Sequence, residues 1–168
     1  MDVASITLRG RQGRARTVDD LTTLFDLCLV VLDARQPSCS RVLLPVIERI
    51  DEVLSGADCT VGVLLVAGDE DDVDRTLGSL ARRVAVFVDP EGQAATALGV
   101  RAAPALVWIT TAPEIGGAVE GWDPPAWRRL LNRLARKLAW THPLLPQPGD
   151  PAPFPARALR LEGARPLA

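Results

Sequence analysis

The sequence predicts an α/β fold in which a mixed β-sheet lies between two layers of helices. Residues 29–32 and 61–67 are uninterrupted apolar runs, the pattern of strands that are buried on both faces. Helical spacing follows each run, and the second half of the chain adds further strands and a closing amphipathic helix. The order is strand, helix, strand and then strand, strand, helix, which places helices against both faces of one sheet.

The composition fits one globular domain, with or without a tail. The chain has 168 residues, of which 48% are hydrophobic and 24% charged, enough to form a core. A net charge of −2 argues against a nucleic-acid-binding protein. No apolar run reaches the roughly 20 residues that span a bilayer, and no secretory signal pattern opens the sequence. We therefore expect a cytoplasmic protein that has neither a nucleic acid partner nor a membrane span.

Residues 5–18 predict a β-hairpin that turns near Gln12 and Gly13. Four arginines, at positions 9, 11, 14 and 16, make this hairpin basic. We interpret them as a solvated edge whose charges prevent edge-to-edge pairing. A ribbon that binds anions or a partner is the alternative.

A strand, a turn and a helix follow one another across residues 29–45. The apolar strand ends before a turn at residues 37–40, and helical spacing begins at Arg41. The apolar stripe of this helix continues to about residue 54, and the Ser-Gly pair that follows is typical of a helix end.

The second half of the chain supplies the remaining elements of the sheet. An acidic stretch opens a helix over residues 69–81, where its carboxylates complement the helix dipole. Residues 84–88 form a short strand, and Gly116 and Gly117 predict the turn into a last strand. Asp123 then caps the closing helix, whose first turn contains two prolines.

The corner at residues 29–45 resembles the active-site corner of the thioredoxin fold in its TlpA/redoxin branch, where the pattern is V-x-F-W-A-x-W-C-x-x-C-R with a helix proline five residues after the second Cys. Three residues match this pattern without a gap: Ala34, Arg41 and Pro45. Pro37 and Ser40 hold the places of the two redox cysteines. The only sulfur at the corner is Cys39, between those places, and Val31 stands where thioredoxin has a buried acid. The resemblance therefore implies a thioredoxin scaffold with a degenerate active site.

Residues 84–109 carry the most specific part of the resemblance. Their D-P-E-G-Q-A-A-T-A-L-G-V-R-A-A-P-A-L-V-W-I matches the redoxin strand, helix and Pro-containing segment in its spacing. In that family the proline is cis and faces the cysteine pair across a substrate groove. The resemblance implies a cis peptide between Ala103 and Pro104, and a backbone at Ala103 that can pair with an extended peptide.

The implied fold is a thioredoxin-like three-layer α/β/α sandwich with a central mixed β-sheet, an N-terminal β-hairpin and a Pro-rich C-terminal extension. We expect residues 1–141 to form the thioredoxin-like domain. Residues 142–168 form a Pro-rich, extended linker and a C-terminal tail. The P-G-D-P-A-P-F within it is similar to the lead-in of redoxin domains. The tail is therefore either the start or remnant of a second redoxin-like unit, or a segment that packs back onto the first.

The cysteine pattern predicts neither a dithiol nor a metal centre. The three cysteines show no C-x-x-C, and the chain contains one histidine. We interpret Cys28 and Cys59 as buried apolar side chains, and we expect no cofactor.

Three functions remain open on this sequence. The first is a redox-inactive module that binds a protein or extended peptide through the corner and the proline loop, with these candidate residues: Gln36, Pro37, Ser38, Ser40, Arg41, Ala103 and Pro104. The second is a one-cysteine thiol-disulfide oxidoreductase or thiol-dependent peroxidase that uses Cys39. The third is assembly, with a homo-oligomer formed through the C-terminal tail. The missing dithiol favours a non-catalytic role, because a thioredoxin cycle needs two thiols.

Overall fold

A computed structural model describes residues 2–161 of the chain, and a mixed seven-stranded sheet lies at its centre. The strands are β1 (Thr7–Gly10), β2 (Ala15–Thr17), β3 (Asp26–Asp33), β4 (Cys59–Val66), β5 (Ala85–Asp89), β6 (Ala102–Ala103), β7 (Ala105–Ile109), β8 (Ile115–Glu120) and β9 (Arg157–Ala158). The sheet order is β2-β1-β5-β4-β3-β7-β8, and β6 and β9 form a separate pair. β3, β4 and β5 are parallel, whereas the outer strands join antiparallel.

Helices cover both faces of this sheet. They are α1 (Val18–Leu21), α2 (Pro37–Arg41), α3 (Leu44–Leu54), α4 (Glu70–Leu77), α5 (Gln93–Ala97) and α6 (Pro124–Lys137). Residues of α3, α4 and α6 share one apolar cluster with one face of β3 and β4. α1 and α5 contribute to the cluster on the other face. The predicted three-layer α/β/α sandwich with a mixed sheet is therefore confirmed.

The predicted N-terminal hairpin is also present. β1 and β2 pair antiparallel, with Leu8 opposite Arg16. Gln12 and Gly13 have φ angles of 62° and 73°, so the chain reverses where the sequence predicts. Leu8 is buried and fixes the hairpin to the sheet, where β1 also pairs with β5.

The corner differs from its prediction, because residues 37–40 are helical rather than a turn. α2 begins at Pro37, and the chain is irregular at Val42 and Leu43 before α3 begins at Leu44. Pro45 explains the break. It has no N–H to donate to the carbonyl of Arg41, and in a continuous helix its ring would clash with that carbonyl. The single helix predicted over residues 41–54 is therefore two helices.

Two further predictions of element bounds are wrong. Gly116 and Gly117 lie inside β8 and form no turn, because the chain already reverses between Thr110 and Glu114. A Cβ on Gly116 would lie 2.6 Å from the Trp108 ring, so the glycine lets β8 cross that ring. α4 ends at Leu77 rather than near residue 81, since Gly78 adopts a φ of 55° and a 3₁₀ turn follows.

Residues 142–161 are mostly extended and lie against the sandwich. Leu145 is buried in the same apolar cluster as α3 and α6. The Asp150 carboxylate binds the Arg49 guanidinium of α3 with two contacts of 2.9 Å. The rest of the predicted tail, residues 162–168, lies outside the described residues. Within residues 2–161 no helix has both the length and the apolar content to cross a bilayer.

Candidate functional site

A narrow groove lies where the corner after β3 meets the loop between β6 and β7. The corner contributes Leu32, Asp33, Gln36, Cys39 and Ser40. The loop contributes Ala103 and Pro104, which are joined by a cis peptide as the resemblance implies. The C-terminal segment contributes Phe154, Pro155 and Arg157. Residues far apart in the chain thus converge on one surface.

The structure brings together five of the eight candidate site residues. The groove is lined by Gln36, Cys39, Ser40, Ala103 and Pro104. Pro37, Ser38 and Arg41 do not line it. The first two are exposed on α2, and the Arg41 guanidinium points to the α4 side, where it donates to the Arg75 carbonyl at 3.5 Å. Whether these residues bind a partner stays a prediction.

Ser40, which replaces the second redox cysteine, is part of the corner's internal bonding. Its side chain is buried, and its Oγ donates to the Gln36 carbonyl at 3.2 Å, with the Asp33 carbonyl at 3.4 Å. The hydroxyl therefore fixes the turn between β3 and α2. Ser40 occupies the position at which an internal disulfide would need the second thiol.

Asp33 is a groove residue that the sequence analysis missed. Its side chain is buried, and its carboxylate accepts from the Arg35 backbone N–H at 2.9 Å and from the Arg35 guanidinium at 3.1 Å through two nitrogens. The bidentate geometry balances the charge of this carboxylate at the groove. The signal in the sequence is an acid at the end of a buried strand with an arginine two positions later.

Cys39 is the one thiol of the chain that lies at the groove. It is half-buried on α2, whereas Cys28 and Cys59 are buried within β3 and β4, and all three thiols are free. Burial raises the pKa of the Cys28 thiol well above its usual value and that of Cys59 to about 12. The interpretation of these two cysteines as buried core residues is thus consistent with the structure.

We expect iodoacetamide to label Cys39 but not the two strand cysteines in the folded protein at pH 8. The thiolate is the nucleophile, and burial keeps Cys28 and Cys59 in the thiol form. Mass spectrometry of peptides checks the result, with urea-unfolded protein as the control in which all three react. Native labelling of Cys28 or Cys59 at the rate of Cys39 would contradict it.

An extended strand of the chain itself lies in the groove beside Pro104. β9 pairs antiparallel with β6, with Ala102 opposite Ala158 and Ala103 opposite Arg157. The Leu159 N–H donates to the Arg101 carbonyl at 2.9 Å and extends this ladder. The backbone of Ala103 therefore already pairs with an extended segment, as the resemblance implies for a peptide.

The packing of this segment onto the domain is one of the two alternatives predicted for the tail. The sequence does not decide between them, because the proline content of the segment is equally typical of a solvated linker. Phe154, Leu159 and Leu161 are the signal that could have found this packing, since they are large apolar side chains in a stretch otherwise made of proline, alanine and arginine. All three pack against the two apolar clusters of the domain.

Comparison with solved structures shows a thioredoxin-like fold. A protein of Chlorobium tepidum assigned as a thiol:disulfide interchange protein, DsbE, is 18% identical, with a TM-score of 0.67 over 82% of this chain and 95% of that one. The pneumococcal exposed lipoprotein thioredoxin of Streptococcus pneumoniae is 20% identical, with a TM-score of 0.60 over 79% and 98%. The thioredoxin domain of a thiol-disulfide oxidoreductase from Bacteroides vulgatus is 10% identical, with a TM-score of 0.62 over 82% and 96%.

These similarities establish the fold and leave the activity to the residues of the site. No protein-family model matches the sequence. The search of curated proteins finds no match either.

Proposed function

We propose that this chain is a redox-inactive thioredoxin-like module that binds an extended segment of a protein or peptide partner. The observation that carries the proposal is the backbone pairing at β6. This short strand lies outside the main sheet, beside the cis peptide of Pro104, and it accepts an extended antiparallel strand. Strand addition of this kind gives affinity through the main chain and specificity through neighbouring side chains.

The chemistry of the corner supports a binding role. A dithiol cycle needs a second thiol to release the mixed disulfide, and Ser40 and Pro37 hold the two cysteine positions. The Ser40 hydroxyl is a donor within the corner, and the Asp33 carboxylate is paired with Arg35. Neither group is therefore free to activate a substrate.

A one-thiol oxidoreductase or peroxidase is the second candidate, because Cys39 lines the groove. Such an enzyme would need an external thiol to resolve the mixed disulfide or sulfenic acid that forms on Cys39. The other two cysteines are buried in the sheet and do not line the groove.

The redox part of the proposal is tested with dithiothreitol-driven reduction of insulin and with peroxide consumption. We expect the wild-type protein and Cys39→Ser to give the same rates as buffer in both assays. Insulin reduction lacks the second thiol of a dithiol cycle. For peroxide, the Ser40 and Asp33 side chains, which share the groove with Cys39, are already bonded to Gln36 and Arg35 and do not activate the thiol. A wild-type rate well above that of Cys39→Ser would replace the binding proposal with the one-thiol enzyme.

The binding part is tested by selection of displayed random peptides against the full chain. Benzoylphenylalanine placed at Ser38, which is exposed beside the groove, should cross-link the selected peptides. The same photoreactive residue at Arg129, exposed on α6, is the matched control and should not. Equal cross-linking at both positions, or no cross-linking of the selected peptides at Ser38, would contradict the proposal.

A further inference from the structure

We propose that the chain's own residues 151–161 are an internal ligand of the groove, which a partner must displace and whose chemistry the partner must share. This inference rests on the proposed function, since it assigns the partner and the regulation of the same groove. The partner segment is extended and carries an aromatic residue, a proline and an arginine in the order of Phe154, Pro155 and Arg157.

The backbone around Phe154 shows that the segment is built into the site. Phe154 and Trp122 exchange two main-chain hydrogen bonds, with N–O distances of 2.9 and 3.1 Å. The Trp122 Nε1–H donates to the Pro151 carbonyl at 2.8 Å. Gly121 adopts a φ of 87°, and a Cβ there would lie 3.1 Å from the Ala156 nitrogen. The glycine thus lets the segment pass close to the domain.

The side chains define what the groove selects. Phe154 and Pro155 lie against the same surface as Cys39 and Pro104. The Arg157 guanidinium donates to the Gln36 Oε1 at 3.0 Å. An apolar pair followed two residues later by a hydrogen-bonded arginine therefore closes one side of the groove. These are the features that a competing segment has to reproduce.

The end of the segment is held more weakly than its beginning. Asp150 is tied to Arg49 by a bidentate ion pair. The exposed residues of β9 and those that follow are held by hydrogen bonds instead: the pairing with β6, the Leu159–Arg101 bond, the Arg157–Gln36 bond and a bond from Arg35 to the Arg160 carbonyl. We expect opening to begin at residues 156–161 and to extend through Phe154 when a partner displaces the segment, while the anchor at Asp150 stays closed.

Self-occupancy lowers the apparent affinity for any partner, because only the open fraction can bind it. A tethered segment acts at an effective concentration in the millimolar range. We therefore expect the full chain to bind a partner of this chemistry weakly until the segment is released.

The experiment uses a fluorescent synthetic peptide of residues 151–161 and full-length proteins in a Cys39→Ser background. A disulfide lock, Ala102→Cys with Ala158→Cys, holds the segment in place. The bond between Leu159 and Arg101 makes 102 and 158 a non-hydrogen-bonded pair, whose Cα separation of about 4.5 Å suits a disulfide. Two release variants, Arg157→Ala and Leu159→Pro, remove a side-chain and a backbone contact respectively.

We expect the release variants to bind the peptide at least about tenfold more tightly than the parent, and the oxidised lock not to bind it. Reduction of the lock should restore the parent affinity. A control peptide with alanine in place of its first arginine should bind about tenfold more weakly than the unchanged peptide.

Equal binding to the oxidised and reduced lock would overturn the inference, because the peptide would then bind elsewhere. Loss of tail-peptide binding in both release variants, while peptides from the displayed library still bind them, would also overturn it and leave the proposed function standing. If neither the tail peptide nor any library peptide binds, the proposed function itself fails. Circular dichroism confirms that each variant is folded.

Discussion

Replacing Asp26 by alanine is expected to lower the free energy of unfolding by about 3 kcal/mol. Asp26 is 1% exposed at the start of β3. Its carboxylate accepts from the Lys137 ammonium at 2.7 and 2.8 Å, from the Trp108 Nε1–H at 2.8 Å and from the Thr111 N–H at 3.1 Å. The alanine variant leaves two neutral donors without their acceptor and separates α6 from the sheet at this point.

Lys137→Met should cost less, about 1–2 kcal/mol. The Lys137 side chain is 39% exposed, and the carboxylate of Asp26 keeps its two neutral donors when the lysine is lost. Urea unfolding of both single variants and the double variant gives the coupling energy. Glu91→Ala, at an exposed carboxylate, is the matched control and should change stability by less than about 0.5 kcal/mol.

A fall in Tm of roughly 6–12 °C should accompany Asp26→Ala in a chain of this size. A loss below about 1 kcal/mol would show that water replaces the carboxylate as acceptor for both neutral donors.

The sequence predicts the central strands well because their apolar runs are local signals. The bounds of β3 and β4 lie within a few residues of the predicted runs, although β4 ends at Val66, before the end of its run. The cis peptide at Pro104 follows from a resemblance of motif and spacing, and the structure has it. The boundary between α2 and α3 was predicted less well, since helical spacing alone does not show where Pro45 interrupts the backbone bonds.

Contacts between distant residues could not be predicted from local patterns. Asp26 and Lys137 are separated by 111 positions, and only the closed sandwich brings them together. The occupied groove is a similar case, because Gln36 and Arg157 are 121 positions apart. A Pro-rich stretch has the same composition whether it is solvated or packed, so its docking depends on surfaces formed by the rest of the chain.

Replacing Arg49 by alanine is expected to cost about 3 kcal/mol of stability and to loosen the segment that enters the groove. The side chains of Arg49 and Asp150 are 18% and 4% exposed, so the pair is largely removed from water. The Gln147 N–H also donates to the Asp150 carboxylate, at 2.7 Å. Without Arg49, the buried charge of the Asp150 carboxylate is left with the Gln147 N–H as its donor.

The pH dependence of the free energy of unfolding tests the contribution of the Arg49–Asp150 pair. The hydrogen bonds from Arg49 lower the pKa of the Asp150 carboxyl below its usual range. Because the folded-state pKa lies below the unfolded value of about 3.9, the pair adds stability above pH 3.9, and this contribution is lost as the pH falls through the folded-state pKa. Urea unfolding between pH 7 and 3 should therefore show a steeper acid loss for wild type than for Arg49→Ala.

Arg129→Ala, which removes an exposed arginine of α6, is the matched control and should keep the wild-type pH profile. Parallel profiles for wild type and Arg49→Ala would contradict the assignment of the acid loss to Asp150.

The Arg49–Asp150 ion pair also affects how firmly the segment is held in the groove, since the chain from Asp150 to β9 is short and extended. The Arg49→Ala protein should therefore bind the tail peptide more tightly than the wild-type protein does, although none of its groove residues has changed. An ion pair outside the groove would then control how readily a partner enters it.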